Sequence, residues 1–293
     1  MFDLRSYLRY LKSEKRYSAH TIQAYQNDLK QFSEFLSGTY ELNDHLVVNH
    51  SHIRSWLVNL TEHKLEAKSI RRKVSALKSF YKFELKSGRI KVSPTAKLIV
   101  PKVKKMLPVF VNEKQMGEVA FETNEENSFS SKRDHLIFEL LYNTGMRCSE
   151  LVSLKDSSFD FYGRSLKVLG KGNKERIIPL SKELVEQLRE YRKERVKKFD
   201  VSISFFVTDG GKSIYPRYVY RVVNKLLSEL STVEKKSPHV LRHTFATHML
   251  NNGAEINAIK ELLGHTSLAA TQVYTHNTIE KLKDVYKKAH PKS

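Results

Sequence analysis

Two stretches near the C-terminal end hold most of the side chains that can do chemistry. The first reads PHVLRHTFATHML and the second reads GHTSLAATQVYTH. They bring His239 and His265 close in sequence to Arg242 and Tyr274. Arginine stays charged at any working pH and binds phosphate oxygens bidentately, and a tyrosine hydroxyl is a nucleophile once cations or a base activate it. These residue types suit attack on a phosphodiester without a carboxylate-bound metal.

The spacing places His239 and Arg242 at one end of a predicted helix. Apolar residues recur there every three to four positions, and Gly253 is the predicted stop. Since residues three apart share a helix face, His239 and Arg242 flank the N-terminus, whose free N–H groups attract anions. A second predicted helix ends at Gly264, immediately before His265.

Two other interpretations of these side chains have less support. His239 and His243 are four apart, as zinc ligands on a helix can be, but no Glu follows His239 and an arginine lies between them. Cys148 follows an arginine at a predicted helix start, and small buried cysteines are common. We expect no metal and no cofactor, and we leave His243, His248 and His276 unassigned.

The charge balance indicates a polyanionic partner. The chain has 51 Lys and Arg against 32 Asp and Glu, a formal net charge of +19. Residues 1–101 carry +9 and the remainder +10, so both halves are basic. A DNA duplex contacted by both halves would use this charge, since Lys and Arg displace counterions from phosphates. A basic surface that only keeps the protein soluble is the alternative.

Other features limit the class of protein. No run of about 18 apolar residues exists, so no membrane span is expected. The start, MFDLRSYLRYLKSEK, lacks the continuous apolar segment of a secretory signal. Cys148 is the single cysteine, so no internal disulfide can form. We expect a cytoplasmic protein with two domains and no membrane partner.

The first hundred residues predict a small helical domain. Ser18 is a candidate N-cap for a helix that Gly38 should stop. A second helix, SIRRKVSALKSFYKFELKSG, should end at Gly88. Weaker helical patterns at 3–14 and 51–62 bring the number of predicted helices to four.

The second of these helices is strongly basic outside its apolar stripe. Its cations are Arg71, Arg72, Lys73 and Lys78. Such a row is either a solvated face or a set of phosphate and groove contacts. We take these four residues as candidate DNA-binding residues of the first domain.

The composition then changes twice. SPTAKLIVPKVKKMLPVF has three of the seven prolines and no regular period, which predicts a linker at 101–108 between domains 1–100 and 109–293. Helices follow, among them MRCSELVSL with Arg147 in its first turn. SFDFYGRSLKVLGKGNKERIIPL then alternates with a period of two, which predicts a three-stranded antiparallel sheet with Lys171 and Lys174 at its second turn. Helical patterns return from Ser181 onward.

Four segments resemble, in order and spacing, the signature segments of one family. They are NTGMRCSELVSL, GKGNKERIIPL, PHVLRHTFATHML and LLGHTSLAATQVYTH. The chain is similar over essentially its whole length to the tyrosine recombinase (phage integrase) family, and within it to the Xer-type chromosome recombinases. The resemblance implies a mainly α fold of two domains. One is a four-helix SAM-like core-binding domain, and the other is an α-helical catalytic domain with a small three-stranded antiparallel sheet.

The resemblance assigns the cationic roles to three positions. Arg147 and Arg242 match the two catalytic arginines that hold the scissile phosphate. Lys171 matches the hairpin lysine that enters the minor groove and acts as general acid. Lys174 is its rival, because a mobile turn could use either lysine.

The resemblance also assigns the remaining three catalytic positions. His239 matches the histidine that is paired with the second arginine and assists proton transfer to or from the tyrosine. His265 matches a residue that hydrogen-bonds the phosphate, and Tyr274 matches the nucleophile.

The implied activity is site-specific DNA recombination. Tyr274 would attack a DNA phosphate to give a 3′-phosphotyrosyl link, and a 5′ hydroxyl of the partner duplex would then attack that link without ATP, metal or cofactor. The implied partners are double-stranded DNA and a homo- or hetero-tetramer on two sites, with a second Xer recombinase or a septal DNA translocase as open additions. The implied role is resolution of chromosome dimers at a terminus-proximal site before cell division.

The tail TIEKLKDVYKKAHPKS predicts one more short helix. Ile279, Leu282 and Val285 lie on one side of it. This face either packs on its own domain or docks into a neighbouring protomer, and the resemblance favours the neighbour.

Three other functions stay open. A mobile-element (transposon or phage) integrase would share every catalytic residue, although the expected lack of an arm-binding domain favours the Xer role. A topoisomerase-like enzyme would nick and reseal one duplex with the same tyrosine. A non-catalytic DNA-binding accessory protein should have lost part of the constellation, whereas all six positions here hold the expected residue types.

Overall fold

The structure is a computed structural model of the chain. It describes residues 4–98, 109–117, 128–170, 174–199, 204–230, 236–264 and 276–291. The chain divides into two compact units, Met1–Met106 and Leu107–Ser293. The predicted linker at 101–108 and three of the candidate catalytic residues, Lys171, His265 and Tyr274, lie outside the described residues.

The first unit confirms the prediction of a four-helix domain. Its described α-helices are α1 (Arg5–Ser13), α2 (Ala19–Tyr40), α3 (His50–Glu62) and α4 (Ala67–Lys86). Ser18 Oγ accepts a hydrogen bond from the Thr21 backbone N–H at 3.2 Å, as expected of the N-cap of α2. The core between the helices combines aliphatic side chains with aromatic ones, among them Phe32 against Trp56 at a centroid distance of 4.8 Å.

The prediction that Gly38 ends α2 is wrong. The helix continues to Tyr40, and Glu41 takes the left-handed conformation at φ 55°. The Tyr40 ring packs against Phe35 and His52, with centroids 6.1 and 4.8 Å apart. We attribute the extension of α2 beyond Gly38 to this packing, which offsets the cost of one helical glycine, about 1 kcal/mol.

A buried carboxylate joins α2 to α4. Asp28 is 2% exposed, and its oxygens accept hydrogen bonds from Lys73 Nζ at 3.0 Å and from Arg72 Nη1. Lys73 is itself 4% exposed, bonds to Gln31 and lies over the Trp56 ring. The alkyl stem of Lys73 is therefore part of the core, and its charge is neutralised there rather than at the surface.

The second unit holds the remaining elements. Its described helices are α5 (Glu113–Gly117), α6 (Phe129–Thr144), α7 (Cys148–Val152), α8 (Lys182–Lys198), α9 (Pro216–Leu230), α10 (Pro238–Asn251), α11 (Ile256–Leu263) and α12 (His276–Ala289). The strands are β1 (Phe159–Asp160), β2 (Ser165–Leu169) and β3 (Glu175–Pro179), in the order β1-β2-β3. Both strand pairs are antiparallel, as predicted from the period of two.

The register of β2 and β3 places one arginine among the inward residues. Leu166 lies opposite Ile178, and Val168 lies opposite Arg176. All four are buried, since alternate residues of a strand point to the same face. Arg176 therefore points its charged side chain into the domain.

Helix α6 is the central element of the second unit. It packs against α8, α9 and α10, and most of its residues are buried. It ends at Gly145, which takes the left-handed conformation at φ 57°. A Cβ there would lie 2.5 Å from Cδ1 of Phe245, so the turn requires glycine. This turn directs the chain into α7 and sets the position of Arg147.

Helix α12 packs on its own domain in this structure. Leu282, Tyr286 and Ala289 are buried, and Tyr286 Oη donates a hydrogen bond to Asn143 Oδ1 at 3.4 Å. Docking of the tail into a neighbouring protomer involves a second chain, so that expectation stays a prediction. Val285 is partly buried against the same core, and the side chain of Ile279 lies outside the description.

Among the described residues, no helix is both long enough and apolar enough to cross a membrane.

Replacing Asp28 by Ala should destabilise the first unit, because Lys73 would keep a buried charge without its carboxylate. Removal of one partner of a buried ion pair costs about 3–5 kcal/mol. We expect the free energy of unfolding to fall by an amount near the lower end of that range. The measurement is urea unfolding of the full chain, monitored by the fluorescence of Trp56, the single tryptophan.

The exposed Arg71 on the same helix provides the matched control. Arg71→Ala should change the free energy of unfolding by less than about 0.5 kcal/mol, as surface substitutions do. An equal, small effect of both substitutions would show that the Asp28 contact does not stabilise the unit.

Candidate active site

Three arginines from three different elements meet at the C-terminal end of α11. Each donates to the carbonyl of a different residue, and the bonds are Arg176 Nε to Leu262 O (2.7 Å), Arg242 Nη2 to Leu263 O (2.7 Å) and Arg147 Nη2 to Gly264 O (3.3 Å). The last carbonyls of a helix lack intrahelical partners and carry the negative end of the helix dipole. The end of α11 is therefore a natural place to gather cations.

Arg147 is held by the start of α7. The structure makes it the N-cap rather than a residue of the first turn, with extended backbone at φ −79° and ψ 149°. Its backbone N–H donates to Glu150 Oε2 at 2.7 Å, and its Nη1 donates to Glu150 Oε1 at 2.8 Å. One acidic residue, three positions later, thus fixes both ends of Arg147.

Glu150 is the buried carboxylate at the centre of this cluster. It is 4% exposed, and it also accepts two hydrogen bonds from Arg176, with Nη1 to Oε1 at 2.9 Å and Nη2 to Oε2 at 2.7 Å. Burial alone would raise the pKa of Glu150, but the hydrogen bonds and charges of Arg176 and Arg147 outweigh burial and lower its pKa. Glu150 is therefore ionised at neutral pH and accepts four hydrogen bonds.

Arg242 reaches the cluster from α10. It is 8% exposed, and its Nη1 donates to the carbonyl of Gly145 at 2.6 Å. Burial, followed by repulsion from Arg147 and Arg176, lowers the pKa of Arg242 to about 10, with Glu150 acting in the opposite direction. Arg242 stays protonated at neutral pH, and its hydrogen bonds to Gly145 and Leu263 are to carbonyls rather than to a carboxylate.

The cluster has a surplus of positive charge beside an open cleft. Three guanidinium groups face one carboxylate, which leaves two positive charges unneutralised among them. A cleft of about 410 Å³ opens against Arg147, Ser149, Glu150, Leu169 and Gly170. A phosphate in this cleft would meet fixed donors and positive charge without any metal ion.

The structure thus brings Arg147 and Arg242 together, as the sequence predicted. His239 is the second residue of α10 and is exposed, one turn before the buried Arg242. Lys174 is exposed just before β3. The roles of these residues and of Lys171, His265 and Tyr274 stay predictions.

Sequence reasoning missed two residues of the cluster, Glu150 and Arg176. Glu150 stands three positions after Arg147 at a helix start, a spacing typical of a residue that reaches back to the N-cap. Arg176 falls on the inward positions of the alternating strand ERIIP, where a charge requires a buried partner. Both signals are present in the sequence, but neither identifies the partner.

Packing explains two other residues that could have been functional. His248 is 1% exposed, with Nδ1 2.9 Å from Tyr142 Oη and Nε2 2.8 Å from the carbonyl of Val111, and burial lowers its pKa. Burial raises the pKa of Cys148 to about 11. Its reactive thiolate is therefore scarce at neutral pH.

The candidate DNA-binding residues of the first unit do not form one surface row. Arg71 and Lys78 are exposed on α4, and Arg72 is exposed although it bonds to Asp28. Lys73 needs correction: it is buried and paired with Asp28, so its ammonium group is not available to a phosphate in this structure. In the helical period, position 73 lies on the same face as the buried residues Val74 and Leu77, although a charged residue is usually exposed.

Comparison with known families matches both units. The N-terminal SAM-like domain of phage integrases matches residues 4–88, and the phage integrase family matches residues 110–281. Relatives include tyrosine recombinase XerC of Chlorobaculum parvum, 38% identical over 98% of this chain and 94% of the relative. Tyrosine recombinase XerC of Staphylococcus aureus is 38% identical over 98% of this chain and 96% of the relative.

Solved structures share the fold. XerH site-specific recombinase, bound to its difH substrate in a pre-cleavage complex, has a TM-score of 0.70 at 24% identity, over 95% of this chain and 83% of that one. The Tn1549 transposon integrase in complex with transposon right-end DNA has a TM-score of 0.69 at 18% identity, over 97% of this chain and 99% of that one.

The mainly α, two-domain fold and the resemblance in the signature segments are thereby confirmed. With 38% identity over nearly its full length to proteins of one kind, the chain belongs to the phage integrase family and is a tyrosine-type site-specific recombinase.

Proposed function

We propose that this recombinase cuts and rejoins double-stranded DNA through a 3′-phosphotyrosyl link to Tyr274. The observation that carries the proposal is the set of arginines around Glu150, where Arg147 and Arg242 bond to adjacent carbonyls beside a cleft with surplus positive charge. Gly264, which accepts one of these bonds, is followed in sequence by the segment that contains His265 and Tyr274.

The first step forms one bond to phosphorus and breaks another. Tyr274 Oη attacks the scissile phosphate, its proton passes to a base for which His239 is the candidate, and the bond from phosphorus to the 5′ oxygen breaks. Arg147 and Arg242 stabilise the added negative charge of the pentacoordinate transition state, and His265 donates a hydrogen bond to a phosphate oxygen. One well-placed donor to such a transition state contributes a factor of about 10²–10³.

The departing 5′ oxygen needs a proton. Lys171 is the candidate general acid, and Lys174 is its rival in the same turn. The 5′ hydroxyl of the partner duplex then attacks the phosphotyrosyl link, which re-forms the phosphodiester bond and returns a proton to Tyr274. The energy of the bond is kept in the covalent intermediate, so the exchange needs neither ATP nor a metal.

Exchange between two duplexes requires four active sites. We therefore propose a tetramer on two DNA sites, made of this chain alone or together with a second Xer recombinase, with a septal DNA translocase as a candidate activator. Identity of 38% to proteins named XerC supports resolution of chromosome dimers at a site near the replication terminus. A mobile-element integrase would use the same chemistry on the ends of its element.

The covalent step can be tested with a nicked suicide duplex that carries a candidate site from near the replication terminus of the host. We expect the wild type to form a protein–DNA adduct that survives denaturant in the presence of a metal chelator. Tyr274→Phe removes the attacking oxygen and should form no adduct, although it should still bind the duplex. The measurement is denaturing gel electrophoresis of labelled DNA.

A duplex with the ends of a mobile element serves as the comparison substrate. Adduct on the terminus site alone supports the chromosomal role, and adduct on the element ends alone supports an integrase. An adduct that persists in Tyr274→Phe would overturn the nucleophile, and DNA binding with no adduct on any duplex would favour an accessory protein.

The contribution of α4 to DNA binding can be measured from the salt dependence of affinity. Each phosphate contact adds about 0.9 to the slope of log K against log salt concentration. If Arg71 and Lys78 contact phosphates, Arg71→Gln and Lys78→Gln should each reduce the slope by about one unit. Titration by fluorescence anisotropy at several salt concentrations gives the slope.

Lys73→Met is the matched control on the same helix. Lys73 is buried, and Arg72 would remain beside Asp28 in its absence, so the slope should stay that of the wild type. A reduced slope for Lys73→Met alone would show that Lys73 leaves its buried position on DNA.

A further inference from the structure

Arg176 has no role among the six catalytic positions, yet it contacts two elements of the site. It lies in β3, two residues after Lys174 and five after Lys171, and it is 3% exposed. A side chain so deeply buried has no surface to offer to DNA. Its effect on a reaction must therefore pass through other residues.

The bonds of Arg176 run from the hairpin to two separate elements. Its Nη1 and Nη2 donate to both oxygens of Glu150, at 2.9 and 2.7 Å, and Glu150 in turn holds Arg147. Its Nε donates to the carbonyl of Leu262 at 2.7 Å, near the end of α11. The planar guanidinium fixes the angle between these contacts as well as their length.

Two glycines leave little space around this guanidinium. A Cβ on Gly264 would lie 3.1 Å from Cδ of Arg176, and a Cβ on Gly170 would lie 3.6 Å from its Nη1. Gly170 also donates its N–H to the carbonyl of Lys174 at 2.8 Å, which closes the strand ends next to the turn. Arg176 is thus packed between the residue that opens the hairpin turn and the residue that precedes His265.

We infer that Arg176 is a positioning residue for recombination. It fixes the strand ends of the β2–β3 hairpin, and with them the lysine that protonates the leaving 5′ oxygen, relative to Arg147 and the end of α11. This inference rests on the proposed function, because it requires a general-acid lysine on the hairpin. A general acid must lie within hydrogen-bond reach of the oxygen that it protonates, so a small shift of the hairpin would slow cleavage without weakening DNA binding.

A change of the leaving atom separates this role from a purely structural one. When sulfur replaces the bridging 5′ oxygen of the scissile phosphate, a thiolate leaves without needing a proton, since a thiol, with a pKa of about 8.5, is far more acidic than an alcohol. A defect in proton donation should therefore disappear on the sulfur duplex. A defect in the fold or in the arginine contacts to the phosphate should remain.

The experiment compares wild type and Arg176→Lys in single-turnover cleavage of oxygen and sulfur versions of the nicked duplex. Arg176→Lys keeps the charge beside Glu150 but loses the bidentate geometry. We expect cleavage of the oxygen duplex to slow by about tenfold or more, a part of the range for general acids. On the sulfur duplex, the cleavage rate of Arg176→Lys should recover to within about threefold of the wild-type rate. The DNA affinity of the variant should differ from that of the wild type by less than about twofold.

Lys167→Met is the matched control in the same hairpin. Lys167 is exposed on the opposite face and pairs with Glu175 at 2.7 Å, so its loss should leave cleavage of both duplexes unchanged. Thermal melting checks that Arg176→Lys is folded at the assay temperature. If Arg176→Lys is not folded, Gly170→Ala tests whether the position of the hairpin strand ends controls proton donation. The Cβ of the new alanine would lie 3.3 Å from the carbonyl of Lys174 and would displace the strand ends.

Equal slowing on both duplexes, or no slowing on either, would overturn the positioning role of Arg176. Absence of adduct from the wild type on both duplexes would instead overturn the proposed function. The two failures are distinguishable because the first requires an active wild type.

Discussion

The catalytic unit depends on one buried carboxylate. Glu150 accepts four hydrogen bonds from Arg147 and Arg176, and this arrangement allows cations from the α6–α7 turn and from β3 to stand side by side inside the protein. Removing two guanidinium groups from water without an anion would be prohibitively unfavourable. Ionised Glu150 offsets part of that penalty, and the free carbonyls at the end of α11 offset more of it.

Glu150 does not neutralise the three arginines fully, and we propose that the remaining positive charge binds the phosphate. Arg242 is bonded to two carbonyls rather than to a carboxylate, and burial with two neighbouring arginines lowers its pKa. In the function that we propose, a phosphate in the cleft beside Arg147 and Glu150 would balance this positive charge. Preorganised donors of this kind need no reorganisation as negative charge grows on a phosphate, which is the basis of electrostatic catalysis.

Two of the buried ion clusters among the described residues, those around Asp28 and Glu150, hold their cations in different ways. In the first unit Asp28 is matched by Arg72 and Lys73, with Trp56 covering the lysine, and the exposed Arg72 also donates to the carbonyl of Ala24 at 3.3 Å. In the second unit the arginines also bond to backbone carbonyls, which fixes them to the main chain of α11 and of the α6–α7 turn. Main-chain acceptors move less than side chains, so they suit a site that has to hold a reacting group in one geometry.

Sequence alone determined the helical periods, the glycine stops at Gly88 and Gly264, the period-two sheet and the signature segments. These follow from local patterns of apolar residues and turn residues. It misplaced the end of α2 and assigned Lys73 to the surface, because aromatic packing around Tyr40 and ion pairing across two helices join residues that are distant in sequence. Only the tertiary structure could reveal that Glu150 links Arg147 to Arg176. A partner for a buried charge is chosen by proximity in space, and that proximity exists only after the elements have packed.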